Sequence, residues 1–347
     1  MTETTRILVV GAGLVGRRHV TAIGQVAGAA LAGIVDPGPD GAAYAAGIGA
    51  RHFVDLDMAL AAGADGVILA TPTPLHAAQG MACIAAGVPV LIEKPLAVTA
   101  EEAEPLVAAA RAAGVPLATG HHRRHNPLIA RAHELISGGA IGAVRAVQAS
   151  CWFQKPDDYF AEAPWRTQAG AGPISVNLAH DIDLIRHLCG EVASVQAQAI
   201  PSARGHANED VAAALLRLTN GALVTITVSD AIPAPWSWEM TSGEYPIYPR
   251  VSEACLRIGG STGSLSVPDL TIWQHKDDGG WWTPLTTEVA PVAAADPLIR
   301  QIAQFVEVIR GRADPLVSGE EGLRTLRVIE AIQVAARDGG TVALPPD

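Results

Sequence analysis

Cysteine is scarce in this chain and never paired. Its four copies, Cys83, Cys151, Cys189 and Cys255, lie far apart and form no C-x-x-C. That spacing suggests neither a zinc knuckle nor a dithiol redox pair. Positive charge is also short: 24 Lys and Arg face 35 Asp and Glu, for a net charge of −11. A general nucleic-acid binder would carry a basic face, so that class is disfavoured. An anionic small substrate is still open, because a local arginine cluster serves it even in an acidic protein. Long apolar runs are missing too; Gly, Pro or charge interrupts each before it could span a bilayer. The start, MTETTRILVV, lacks the charged, apolar and small-residue regions of a secretory signal. Together these absences predict a cytoplasmic protein with neither a membrane nor a nucleic-acid partner.

What is present is a core. With 49% hydrophobic and 17% charged residues in 347, the chain has material for about two domains. The first third alternates short β-branched runs (RILVV, ALAGIVD, RHFV, GVILAT, PVLIE, PLAT) with alanine-rich stretches. Helices are predicted over 15–26, 75–86 and 100–113, with Thr99 and Glu102 at capping-box spacing for the third. This alternation implies a parallel sheet with helices on both faces. The pattern changes near His121. A helix over 127–137 precedes the long strand AVRAVQASCWF, and later strands include VAAALLRL and ALVTITVSD, joined across TNG. Asn220-Gly221 is a hairpin signal. Two late helices, near 297–310 and 319–337, close the chain. The expected architecture is α/β: a dinucleotide-binding Rossmann domain over 1–122, then an α+β domain with a large, mostly antiparallel open sheet over 123–347.

The first functional motif is VVGAGLVGRRH, with Gly11, Gly13 and Gly16 in G-x-G-x-x-G spacing. It follows a strand and opens a helix, and Asp36 stands 20 residues beyond Gly16, which makes the dinucleotide reading specific. Gly11 permits the tight turn, Gly13 lets backbone approach a pyrophosphate, and Gly16 lets the helix pack closely. The N–H groups around Leu14 and Val15, at the positive end of the helix, face the phosphates. Asp36 would accept from the adenosine ribose hydroxyls and repel a 2′-phosphate. The following Pro37-Gly38-Pro39-Asp40 offers no cation, so NAD is expected over NADP. Thr71, Pro72 and Thr73 follow another strand, where open α/β sheets bind ligands. His76 either touches the cofactor or simply begins the next helix. Glu93-Lys94-Pro95 ends a further strand, with Lys94–Pro95 a candidate cis peptide.

These motifs, with GHHRRHNP, WR and GAGPISVNLAHDIDLIRHL, resemble the Gfo/Idh/MocA oxidoreductases. The resemblance spans nearly the whole chain; it is specific to the family and uninformative about substrate. It implies a Rossmann domain followed by an α/β domain whose open sheet commonly makes homodimers or homotetramers. It implies Lys94 near the nicotinamide and the reacting hydroxyl, and His180 beside that hydroxyl; Glu93, next to Lys94, is a cofactor-binding candidate. It also puts the His-Arg cluster along the cleft, where some of its residues contact substrate or nicotinamide and others hold the domains together; Arg123 is the substrate candidate among them. The cluster's spacing does not match a metal site, and the chemistry needs none.

His180 also stands out by position. On a helix over 174–188, at about 100° per residue, Leu178, Ile182, Ile185 and Cys189 make the core stripe. His180 points nearly opposite, with Val176, Asp183 and His187. That favours a functional histidine. Asp183 would orient the imidazole or form a structural ion pair with Arg186 or Arg124. Many family members carry Asp four residues before this His; here the position is Val176, beside Asn177. The expected reaction moves hydride from a secondary alcohol to the nicotinamide, with either Lys94 or His180 as base. Tyr159, Trp165, Arg166 and Asn177 are the other substrate candidates: aromatic faces and donors suit a sugar or polyol ring, while Arg166 would equally clamp a carboxylate. Trp236 and Trp238 either line a pocket, cover it or pack. The alternatives are a dehydrogenase of a carbocyclic diol or hydroxy acid, a non-catalytic NAD or sugar sensor, and a redox-neutral enzyme that recycles bound NAD.

Overall fold

The computed structural model describes residues 4–276 and 279–345. The chain divides into two compact units, Met1–His125 with Asp296–Leu326, and Asn126–Ala295 with Arg327–Asp347.

The first unit opens with β1 (Thr5–Val10), α1 (Leu14–Ile23), β2 (Ala29–Val35), α2 (Pro39–Gly47), β3 (His52–Phe53), α3 (Leu56–Ala61), β4 (Gly66–Leu69), α4 (His76–Ala85), β5 (Val90–Ile92), α5 (Ala100–Ala113) and β6 (Leu117–Thr119). The strands form one parallel sheet in the order β3-β2-β1-β4-β5-β6. A parallel strand covered on both faces reads as a continuous apolar run. Ile7, Leu8, Val9 and Val10 are accordingly all buried, each contributing about 1.5–3 kcal/mol. Thr99 caps α5 by accepting from the Glu102 N–H, while the Glu102 carboxylate reaches back to the Val98 N–H. The strand order reverses direction at β1/β4, which makes the crevice at the carboxyl ends of those strands the expected ligand position.

The second unit contributes α6 (Pro127–Ser137), β7 (Val144–Trp152), α7 (Asp157–Ala161), α8 (Pro173–Val176), α9 (Leu178–Cys189), β8 (Val192–Pro201), β9 (Glu209–Leu218), β10 (Leu223–Ser229), α10 (Trp238–Thr241), β11 (Leu256–Gly260), β12 (Gly263–Val267), β13 (Thr271–Gln274) and β14 (Thr286–Val289). After them come α11 (Pro297–Ile309), α12 (Gly319–Asp338) and β15 (Val342–Ala343). The nine-stranded sheet runs β14-β13-β12-β11-β7-β10-β9-β8-β15, antiparallel except for β7 with β10. The β9–β10 hairpin turns at Asn220-Gly221, with Gly221 at φ +88°. One sheet face packs on Ile182, Ile185, Ile329 and Ile332. On β9 and β10 the burial alternates, leaving Leu215 and Leu223 exposed.

Two expectations need revision. The anticipated split at 122/123 assigned 296–326 to the second domain, but that segment belongs to the first unit. Leu298, Ile302 and Phe305 of α11 share a core with Ile7, Val9 and Ile68, and the apolar stripe that buries them carries no sign of which sheet it serves. The helix anticipated over 174–188 is two helices broken at Asn177.

Candidate active site

The cofactor elements lie on neighbouring strands of the first unit. Gly11 has φ +94°, and a Cβ there would stand 2.6 Å from the Ala70 carbonyl oxygen. A Cβ on Gly16 would meet the Gly11 carbonyl at 1.9 Å, so α1 starts this close to β1 only with glycine at both positions. The Cβ position of Gly13 is open, and Leu14 and Val15 are exposed beside it. No side chain caps α1. Its first N–H groups therefore face free space, which fits a pyrophosphate. Asp36 follows β2. Its Oδ2 accepts from the Ala12 N–H and its Oδ1 from the Gly38 N–H, both at 2.8 Å, and the lone pairs left over suit ribose hydroxyls. Sequence reasoning overlooked Arg17. Its Nε donates to the Ala12 carbonyl at 2.8 Å and its guanidinium covers the Tyr44 ring at 4.5 Å, so a cation is anchored on the same residue, Ala12, whose N–H donates to Asp36. It comes from α1 rather than from the loop after β2.

Thr71, Pro72 and Thr73 follow β4, with the Thr71 hydroxyl donating to Gln79 Oε1. His76 is buried, and its Nδ1 and Nε2 lie 2.8 and 2.9 Å from the Pro95 and Thr71 carbonyl oxygens. The ring thus ties the loop after β4 to the turn after β5. Glu93, Lys94 and Pro95 make that turn, and the Lys94–Pro95 peptide is cis. Glu93 Oε1 accepts from Nε2–H of His19 at 2.7 Å, and its Oε2 from the Lys94 N–H at 3.2 Å. Burial alone would raise the Glu93 pKa; the His19 hydrogen bond and nearby positive charge, Lys94 included, outweigh it and hold the pKa down to about 2. Beyond β6, His121, Arg123, Arg124 and His125 are all buried. Arg124 pairs with Glu321 at 2.7 Å, and the His125 carbonyl accepts from Arg300. Among the described residues no cluster of three metal-ligating side chains forms.

In the second unit, His180 lies in the first turn of α9, its N–H donating to the Asn177 carbonyl at 3.2 Å. The anticipated polar face is not a solvent face: His180, Asp181, Asp183 and Arg186 are buried along with the apolar stripe. Asn177 Oδ1 accepts from Nζ of Lys155 at 2.8 Å, and Lys155 also pairs with Asp230 at 3.3 Å. Lys155 lies 5.0 Å from the centroid of the Tyr159 ring, over which the Arg166 guanidinium stands at 4.0 Å. Arg166 also approaches the Trp165 ring, at 5.8 Å, and its Nη1 donates to the Tyr159 carbonyl. Tyr159, Trp165, Arg166 and Asn177 thus form one contact chain with Lys155, Asp230 and Arg204, which shares Asp230 at 3.4 Å. Burial lowers the Lys155 pKa despite Asp230, and burial raises that of Tyr159, which keeps its hydroxyl a donor. Lys155 escaped sequence reasoning because KPDD reads as a solvated surface. Trp238 is core, donating to Glu244 Oε2 at 3.0 Å, while Trp236 packs edge-on against Trp152.

Known proteins resemble this chain along most of its length. The profile described as an oxidoreductase family NAD-binding Rossmann fold matches residues 5–121, and that of the GFO/IDH/MocA C-terminal domain matches 129–266. The scyllo-inositol 2-dehydrogenase (NADP(+)) IolW of Bacillus subtilis is 31% identical over 80% of this chain and 78% of its own. Inositol 2-dehydrogenase 1 of Saccharopolyspora erythraea is 32% identical over 78% of this chain and 76% of its own. The crystal structure of the WlbA dehydrogenase from Bordetella pertussis, in complex with NADH and UDP-GlcNAcA, matches with a TM-score of 0.79 at 29% identity, covering 99% of this chain and 100% of that one. This chain is a member of the Gfo/Idh/MocA oxidoreductase family, with an NAD-binding Rossmann unit.

Proposed function

We propose that the protein is an NAD-dependent dehydrogenase acting on a secondary alcohol of a sugar, polyol or related hydroxylated ring. The observation that carries this reading is the placement of three motifs at the carboxyl ends of adjacent strands. The glycine turn follows β1, Thr71–Thr73 follow β4, and Glu93-Lys94 follow β5, next to the switch point where such sheets bind dinucleotides. Relatives named as inositol dehydrogenases support the substrate class. The bound nicotinamide supplies the hydride acceptor. Gly13, Leu14 and Val15 hold the phosphates, Asp36 the ribose, and Thr71–Thr73 the cofactor further along the sheet. The Asp36 carboxylate disfavours a 2′-phosphate, so NAD is preferred over NADP.

The catalytic residues in this reading are Lys94 and His180. Glu93 and Lys94 stabilise each other's charge, so Lys94 serves as the ammonium that stabilises the developing alkoxide. His180 takes the hydroxyl proton. Tyr159, Trp165, Arg166 and Asn177 bind the substrate, as does Arg123. No described helix is long and apolar enough to cross a membrane, and all four cysteines are free; both fit a cytoplasmic enzyme. Exposed Leu215, Leu223 and Trp273 on the large sheet favour a homodimer or homotetramer through that sheet, which light scattering would test.

The deciding experiment follows NADH absorbance at saturating NAD over a panel of sugars, inositols, polyols and hydroxy acids, with Lys94→Ala as control. Turnover by the wild type alone supports the dehydrogenase. Val176, where the family resemblance leads one to expect an Asp, favours a second reading as a non-catalytic sensor. NAD binding without turnover on any panel member would select it.

A further inference from the structure

We propose that Glu93 selects the oxidised cofactor, its fixed carboxylate at the carboxyl end of β5 favouring the cationic ring of NAD over the neutral ring of NADH. The proposal rests on the cofactor reading above and is independent of the substrate. Three contacts fix the carboxylate. His19, fully buried on α1, donates from Nε2 to Oε1 at 2.7 Å. The Lys94 N–H donates to Oε2 at 3.2 Å. On the third side lies Gly120, where an added Cβ would stand 2.9 Å from Glu93 Cδ and Oε2. Only glycine leaves the carboxylate this place.

The His19 contact anchors the carboxylate through Nε2, while the ring's Nδ1 is buried and has no hydrogen-bond partner among the described residues. With a pKa held down to about 2, the carboxylate stays charged at any working pH.

The nicotinamide ring carries a positive charge in NAD and loses it on accepting hydride. A nearby anion with little solvent around it favours the charged ring. Lys94 and His122 also face the carboxylate, but their charges are the same before and after reduction. Replacing Glu93 isolates its own share. The functional consequence is a weaker hold on NADH than on NAD, which favours release of the reduced product.

The test measures dissociation constants of NAD and NADH, with no substrate present, for the wild type, Glu93→Gln, Glu93→Ala and His19→Gln. Gln at 93 keeps the shape and an oxygen for His19. The expected result is a rise of about tenfold in the ratio of the NAD to the NADH constant, carried by NAD. Glu93→Ala should repeat the shift, so a folding failure of one variant leaves the other to decide. His19→Gln, whose amide also donates, should hold the wild-type ratio. An unchanged ratio, or parallel loss of both ligands, overturns the proposal. A shifted ratio in a protein that turns over nothing on the panel would sink the dehydrogenase reading and leave this one standing; turnover with an unchanged ratio would do the reverse.

Discussion

In the first unit Gly11, Thr71 and Lys94 each stand within a few residues of the strand that places them. In the second, Lys155 meets Asn177 22 positions on and Asp230 75 positions on. The first set is positioned by a parallel sheet whose carboxyl ends converge whatever the side chains between them. The second is assembled by a buried ionic network, and each member depends on the others being in place. A local motif therefore marks a site reliably only where regular structure does the positioning. The contrast also predicts different failures: replacing a first-unit side chain placed by its strand end, Lys94 above all and Glu93 excepted, should cost function with little stability, and replacing members of the second-unit network should cost both.

The largest effect expected in the first unit is from Lys94→Ala. Loss of the ammonium should lower kcat by about 10²–10⁴-fold, as removing a positioned acid–base or electrostatic group does, with the NAD dissociation constant and the melting temperature little changed. A matching collapse of stability would remove the contrast. In the second unit Lys155→Met should destabilise by about 3–5 kcal/mol, nearer the lower figure because Arg204 still reaches Asp230. Chemical denaturation measures this. A pH signature accompanies it. Folding lowers the Lys155 pKa from 10.5, so just below that value the folded protein holds fewer protons than the unfolded chain. The lysine thus makes stability rise with pH there, and the Met variant should lose that slope.

How much of this was legible follows the same line. The Asn220-Gly221 turn and the helix over 127–137 are short-range signals, and the structure contains both; the glycine spacing and Asp36 are equally local, and the structure shows where they stand, after β1 and β2. The break at Asn177, the return of 296–326 to the first unit and the burial of Lys155 depend on partners distant in sequence. His19 and His76 are an intermediate case. Both lie inside legible motifs, but a histidine's spacing does not disclose which backbone or carboxylate its ring will meet.

Glu93, held in contact with the buried His19, is the first unit's exception: its substitution reaches stability, with a distinct pH window. Its pKa falls from the ordinary 4.5 to about 2 on folding. Its contribution is therefore complete above the unfolded value and is lost as pH drops through the folded one. That is worth about 3 kcal/mol. Glu93→Gln should be less stable than the wild type at neutral pH, and the difference should shrink as pH falls from 4.5 to 2. A difference independent of pH would mean that the anion adds nothing to the fold.

The smallest effect concerns Arg17 and sharpens the comparison within the first unit itself. Asp36 was legible by its distance from the glycine turn; Arg17, whose guanidinium lies over Tyr44 and is anchored at Ala12, was not. Asp36→Asn removes the charge that opposes a 2′-phosphate and should improve NADP binding relative to NAD by about tenfold. If Arg17 is the cation that then meets the phosphate, Arg17→Gln in the Asp36→Asn background should take back about threefold of that gain, while leaving NAD affinity alone. Because the guanidinium is exposed, added salt should shrink the Arg17 effect. Equal loss of NAD and NADP would instead assign Arg17 to holding the Ala12 turn, and the sequence's silence about a phosphate partner after β2 would have been the correct reading.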